Sequence, residues 1–100
     1  MMIHKRQPYR NKKIREAARD EACTLQGPNC TGGGEDTVFC HLNEHWAGKG
    51  GSQKADDFGF FGCAQCHADY DGNRLEDEYF YVLRACYRTF IRLIDKGVIK

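Results

Sequence analysis

Four cysteines have the type and spacing to hold a metal ion. Cys63 and Cys66 form a C-x-x-C pair, and Cys23 and Cys30 a C-x6-C pair in a glycine-containing loop. One zinc ion takes four tetrahedral ligands, and thiolates suit it. The segment after Cys63 reads as the start of a helix, whose N-terminus favours negative charge and so favours ionised thiolates. Zinc contributes ~10–16 kcal/mol to folding in small zinc peptides. That matches or exceeds the ~5–15 kcal/mol net stability of a typical domain. The spacing therefore predicts one structural zinc on Cys23, Cys30, Cys63 and Cys66. Cys86 reads as a core residue of a C-terminal helix. Cys40, in a predicted strand directly before His41, is either core-facing or a metal ligand.

Two other uses of the same residues fail. CAQCH (63–67) matches the C-x-x-C-H signature of c-type haem attachment. That chemistry needs export and usually a second axial ligand. The N-terminus has no signal-like apolar stretch, the methionines are Met1 and Met2, and four other cysteines would go unexplained. Asp69, Asp71 and Asn73 alternate like the opening of a calcium loop. Such a loop needs glycine and glutamate where Arg74 and Phe80 stand.

The rest of the composition favours a metal staple. A chain of 100 residues is expected to be one domain, 1–100, and buries only about two thirds of its unfolded surface. It also carries 11 glycines, each costly to order. Six cysteines mean either disulfides in a secreted protein or metal in a reducing compartment. With no signal-like core and no run of ~18 apolar residues for a membrane span, a reduced, cytoplasmic protein is expected. Charge is uneven. Lys5, Arg6, Arg10, Lys12, Lys13, Arg15 and Arg19 face one acid, Glu16, over residues 1–19. Such a segment can lie on a nucleic-acid backbone, or it is a solvated tail. Residues 1–10 read as a flexible basic tail.

Five elements must position these groups. Residues 11–21 favour a short helix capped by Asn11, with Ile14, Ala17, Ala18 and Ala22 as its apolar stripe. TVFCHL (37–42) and FGFFG (58–62) read as two paired strands. Between them, residues 43–57 form a polar, glycine-rich loop. Its Trp46, Lys49 and Lys54, with His45, offer an aromatic plane and positive charge suited to nucleic acid, or the segment is a mobile loop with its tryptophan folded onto the core. CAQCHADYDGN starts a helix that Gly72 and Asn73 end. Residues 74–96 read as the longest helix, with Leu75, Tyr79, Leu83, Cys86, Phe90 and Leu93 as its buried stripe. Tyr81, Val82 and Ile91 lie off that stripe, on a face that can mediate a homodimer.

His41 ends the first strand and His67 opens the helix after Cys66. A zinc joining the cysteine pairs would draw both histidines toward one cleft, or they are separate surface groups. A strand-borne histidine can deprotonate water, and a helix-borne one can hold a divalent metal. The target of such a pair is a phosphodiester.

The set Cys23-x6-Cys30, Cys40-His41 and Cys63-x2-Cys66-His67 resembles the HNH endonucleases. More closely, the chain is similar to the small phage and prophage proteins typified by YbcO. The matching stretches are REAARDEAC, FCHL, GCAQCHADYD and the closing GVIK, over residues 13–100. The resemblance implies an α+β fold: a zinc-stapled treble clef with a ββα-metal core, an N-terminal helix and a long C-terminal helix. It implies a metal-dependent endonuclease that hydrolyses DNA, serving phage recombination or DNA processing. His41 matches the general base. His67 matches a ligand of a second, catalytic divalent metal (Mg, Mn or Zn). The residue before the base is often a further ligand; here it is Cys40, and a thiolate prefers zinc to magnesium. The asparagine that orients the base is replaced by Asp56 and Asp57, with Asp56 placed in the catalytic set. Lys12, Lys13, Arg15, Lys49 and Lys54 are the expected DNA contacts. The alternative is a non-catalytic zinc module that binds DNA or a recombination partner. Phage recombination proteins join DNA as expected partners.

Overall fold

Asn11 opens the first element as expected. Its side chain accepts a hydrogen bond from the Lys13 amide and caps α1 (Lys12–Glu16). Ile14, Ala17 and Ala18 are buried beneath it and the turns that follow. Ala22 is exposed, so the stripe ends one turn earlier than its spacing suggested. The computed structural model describes residues 8–43 and 55–99.

β1 (Val38–His41) and β2 (Gly59–Gly62) pair antiparallel, with Cys40 opposite Phe60 and His41 opposite Gly59. Strand side chains alternate between faces, and that alternation splits the core in two. Cys40, Leu42 and Phe60 pack with Cys23, Leu25, Cys63, Cys66, Tyr70 and Ala85. Phe61 packs with Ile14, Ala17, Ala18 and Leu93, and Phe39 lies against that group. The two strands, α1, α2 (Ala64–Asp71) and α3 (Glu78–Asp95) make this an α+β protein. Among the described residues no helix is long and apolar enough to cross a membrane.

α2 begins at its cap, Cys63, and ends at Gly72. α3 starts at Glu78, four residues later than periodicity predicted. Asn73 and Asp77 take left-handed backbone conformations that interrupt a helix through 74–77. The buried face of α3 also differs from prediction. Ala85, Thr89 and Leu93 are buried, and Tyr81, Val82 and Cys86 pack against the core. Tyr79, Leu83 and Phe90 are exposed. Small residues explain the inversion: Ala85 and Thr89 let the helix approach β2 closely. The Thr89 hydroxyl accepts from the Phe61 amide at 3.1 Å and shares a hydrogen bond with Thr24 at 2.9 Å.

Glu21 ties the chain after α1 to the end of α3. Arg92 donates to both of its oxygens, at 2.8 and 3.0 Å, and Lys96 donates at 3.0 Å. The Arg92 hydrogen bonds, joined by those of Lys96, outweigh burial and lower the Glu21 pKa from 4.5 to about 2. A carboxylate whose folded pKa is depressed stabilises the fold above its unfolded pKa and loses that effect as pH falls. Replacing Glu21 with Gln should lower Tm at neutral pH. The gap from wild type should close as pH drops from 4.5 toward 2. Paired thermal melts across that window check it, because acid loss of metal is common to both proteins.

Candidate metal centre and imidazole–carboxylate pairs

Cys23, Cys30, Cys63 and Cys66 come together as their spacing predicted. Their sulfurs all lie within 4.8 Å of one another, and those of Cys30 and Cys63 are 4.0 Å apart. Four sulfurs at ~2.3 Å from a tetrahedral zinc stand about 3.8 Å apart, so the cluster is close to the size such an ion requires. Three of the four residues are buried and none is disulfide-bonded. Backbone amides aim at the sulfurs: Gly32 N–H donates to Cys30 Sγ at 3.2 Å, and Cys66 N–H to Cys63 Sγ at 3.4 Å. Burial pushes the Cys30 and Cys66 thiols up. Burial also opposes ionisation of Cys63, but hydrogen bonds from Thr31 and from Cys66 outweigh it and bring that thiol down to about 6. Four converging thiols with amide donors can hold one soft divalent ion.

Asp69 braces the cysteine cluster from α2. It is buried and accepts from Asn29 at 3.3 Å, Gln65 at 2.9 Å and Arg74 at 3.3 Å. The Asn29 bond ties the Cys23–Cys30 loop to α2, and that bond, with those of Gln65 and Arg74, holds the Asp69 pKa below its usual value.

Cys40 is fully buried among the residues around that cluster, and its burial pushes the thiol pKa strongly upward. Its sulfur is not among the four that converge. Cys86 is half-buried on α3, packed against the core, and burial raises it to about 11.

His41 lies on the face shared by Phe39 and α1, with its ring 5.1 Å from that of Phe39, edge to face. The carboxylate that meets it is Asp57: His41 Nε2 and Asp57 Oδ1 are 2.8 Å apart. Asp57 is only 4% exposed. Its Oδ2 accepts from the Asn11 amide at 2.6 Å, and Arg10 and Arg15 lie 3.4 and 3.6 Å from its oxygens. Asp56, the aspartate named in the expected catalytic set, accepts instead from the Tyr9 amide at 2.7 Å. With Nε2–H donated to the carboxylate, Nδ1 of His41 keeps its lone pair.

His67 belongs to α2, which packs on the opposite face of the hairpin. It pairs with Asp71 one turn on, Nε2 to Oδ2 at 3.0 Å, and both side chains are substantially exposed. Asn43 donates to the other Asp71 oxygen at 3.0 Å, and its own amide donates to the Tyr70 hydroxyl at 2.9 Å. Among the described residues His41 and His67 each pair with a carboxylate. The end of β1 links them, since Asn43 follows His41 by two residues. The sequence signal for Asp71 is its four-residue spacing from His67, which puts both on one helix face. Lys12 and Lys13 are exposed on α1, while Arg15 is half-buried against Asp57. Lys49 and Lys54, with His45 and Trp46, lie outside the described residues.

The fold and these sites define a small α+β protein built around four clustered cysteines that could hold a metal ion. Its family can be stated as well: the model described as "Putative nuclease YbcO" matches residues 12–98, and the chain belongs to that family. That description makes nucleic acid the expected substrate class. No curated protein and no solved structure matches the chain.

Proposed function

We propose that the protein is a metal-dependent endonuclease of the HNH type that hydrolyses DNA phosphodiester bonds. On this reading the four-cysteine centre binds zinc within a treble clef, and β1, β2 and α2 form the ββα-metal core. The observation that carries the proposal is the His41–Asp57 pair, with Asp57 buried and held from three further directions. An imidazole locked in one tautomer by a fixed carboxylate suits a general base.

The residues divide the chemistry between them. Nδ1 of His41 takes a proton from water that attacks phosphorus in line with the leaving oxygen. Asp57 holds the tautomer and stabilises the imidazolium that forms. His67 and Asp71 are the residues that would hold the divalent ion, and Asn43 orients the Asp71 carboxylate. Bound there, such an ion neutralises charge on the phosphate and the departing oxygen. Cys40, a buried thiol, is assigned to the core and not to that site. The DNA backbone crosses the end of β1, with Lys12 and Lys13 supplying exposed positive charge; Lys49 and Lys54 belong to the same proposed interface. Use in phage recombination or DNA processing follows from the family alone.

The test is nicking of supercoiled plasmid with Mg, Mn, Ni or Zn ions. Wild type should nick with at least one of them, and His41→Ala should lose roughly 10²–10⁴-fold in rate, the usual scale of general-base catalysis. No nicking with any metal, or undiminished nicking by His41→Ala, overturns the proposal. A second reading, a zinc module that binds DNA without cutting it, draws on the buried Cys40 thiol at a position that often supplies a metal ligand. Salt-dependent DNA binding with no cleavage favours that reading.

A further inference from the structure

The outward face of α3 is apolar along its whole length. Phe80, Leu83, Tyr87, Phe90 and Ile94 fall at alternating spacings of three and four, and all five are exposed. That is an a/d heptad seam, the pattern by which one helix packs on another. It lies opposite the core face of Ala85, Thr89 and Leu93, so it is a second stripe and not the edge of the first. Tyr79, at 76% exposure, and Ile91 widen it.

Its size selects the kind of partner. A large aromatic side chain presents ~150–250 Å², and Leu83 and Tyr87 are 74% and 66% exposed. Together the seven side chains offer roughly 800 Å² of surface, above the ~300–600 Å² of the largest patch on a typical monomer. The value is close to the ~800 Å² that each partner contributes to a standard stable interface.

The sequence of the seam is self-complementary. Laid antiparallel across a two-fold axis at Tyr87, Phe80 meets Ile94 of the second copy, Leu83 meets Ile91, Tyr87 meets Tyr87, and Phe90 meets Arg84, whose guanidinium can stack on an aromatic face. The helix dipoles then oppose. Parallel packing would set Arg84, which lies over the Phe80 ring at the edge of the seam, beside its own copy. An isologous contact of this kind closes on itself and stops at two subunits.

We propose that the protein is a homodimer whose interface is the Phe80–Leu83–Tyr87–Phe90–Ile94 face of α3, paired antiparallel with the same face of a second copy. This inference does not depend on the nuclease proposal. The test is sedimentation equilibrium of the full zinc-loaded chain at micromolar concentration. Wild type should have twice the chain mass, and Leu83→Glu and Tyr87→Glu should each weaken the dimer by at least ~100-fold, a loss of two decades in affinity. These positions are exposed, so the variants should keep wild-type zinc content and helical circular dichroism. As a second measurement, Tyr87→Cys on a Cys86→Ala background should cross-link to itself on mild oxidation, because residues on the axis approach within disulfide reach. Phe80→Cys on the same background should not. A monomeric wild type, a dimer that both glutamate variants leave intact, or self-cross-linking at 80 and not at 87 overturns the proposal.

Discussion

Stripping metal with a chelator should unfold this protein rather than merely loosen one loop. The four sulfurs sit within 4.8 Å of one another, and three of their residues are in the interior. Cys23, Cys63 and Cys66 belong to the same buried cluster as Phe60, Tyr70 and Ala85, so three of the four candidate ligands are part of the core. Removing the ion leaves four sulfurs close together with nothing to bridge them, and burial opposes ionisation of Cys30 and Cys66. Metal at such sites supplies ~10–16 kcal/mol of folding free energy, and a domain of this size has only ~5–15 kcal/mol in total. Excess chelator should therefore convert the far-ultraviolet circular dichroism from folded to unfolded in one step, and added zinc should reverse it. Cys63→Ser or Cys66→Ser should abolish stoichiometric zinc by atomic absorption and lower Tm by tens of degrees. A folded, chelated protein with unchanged Tm would mean that the packing around Phe60 and Phe61 suffices alone.

The clustering of the four cysteines was legible because the chemistry is local: C-x-x-C at a helix start and C-x6-C in a loop each set their own geometry. The two strands and the cap at Asn11 were legible for the same reason. What the sequence concealed is whichever property depends on a distant partner. The buried face of α3 is the clearest case. Periodicity offers two apolar stripes on that helix, and the heavier one, with Tyr79, Leu83 and Phe90, was the natural choice for the core. The fold instead buries Ala85 and Thr89, whose small size lets the Thr89 hydroxyl reach the Phe61 amide. That pairing joins residues 28 apart, and no local pattern encodes it. The choice between Asp56 and Asp57 is similar. The two are chemically identical neighbours. Only the paths of β2 and of the chain entering α1 decide which meets His41 and which meets the Tyr9 amide.

Replacing Asp57 should damage stability and activity separately, and the two effects can be told apart. Its side chain is fully shielded, yet it is approached by the Asn11 amide, His41, Arg10 and Arg15. Hydrogen bonds to a charged group contribute ~1.5–3 kcal/mol each, and an abandoned partner costs its desolvation. Arg10 and Arg15 are 30% exposed and can return to water, which limits that cost. Asp57→Ala should thus cost about 3 kcal/mol, nearer the lower end of the range for breaking a buried ion pair, read by chemical denaturation of the zinc-loaded protein. Asp57→Asn should cost less, because its amide oxygen can still accept from His41, although its NH2 then faces the Asn11 amide and Arg15. Its effect on nicking should be larger than its effect on folding. A neutral amide holds the imidazole but does little for the imidazolium that forms when water is deprotonated, so the rate should fall by roughly 10²–10⁴. Asp56→Asn is the control: its carboxylate meets the Tyr9 amide, and nicking should stay within a few-fold of wild type. If Asp56→Asn proved the slower variant, the base would be oriented by a different carboxylate from the one that His41 touches. Equal, small losses in both variants would remove His41–Asp57 from the reaction and leave the pair a structural tie between β1 and the chain entering α1.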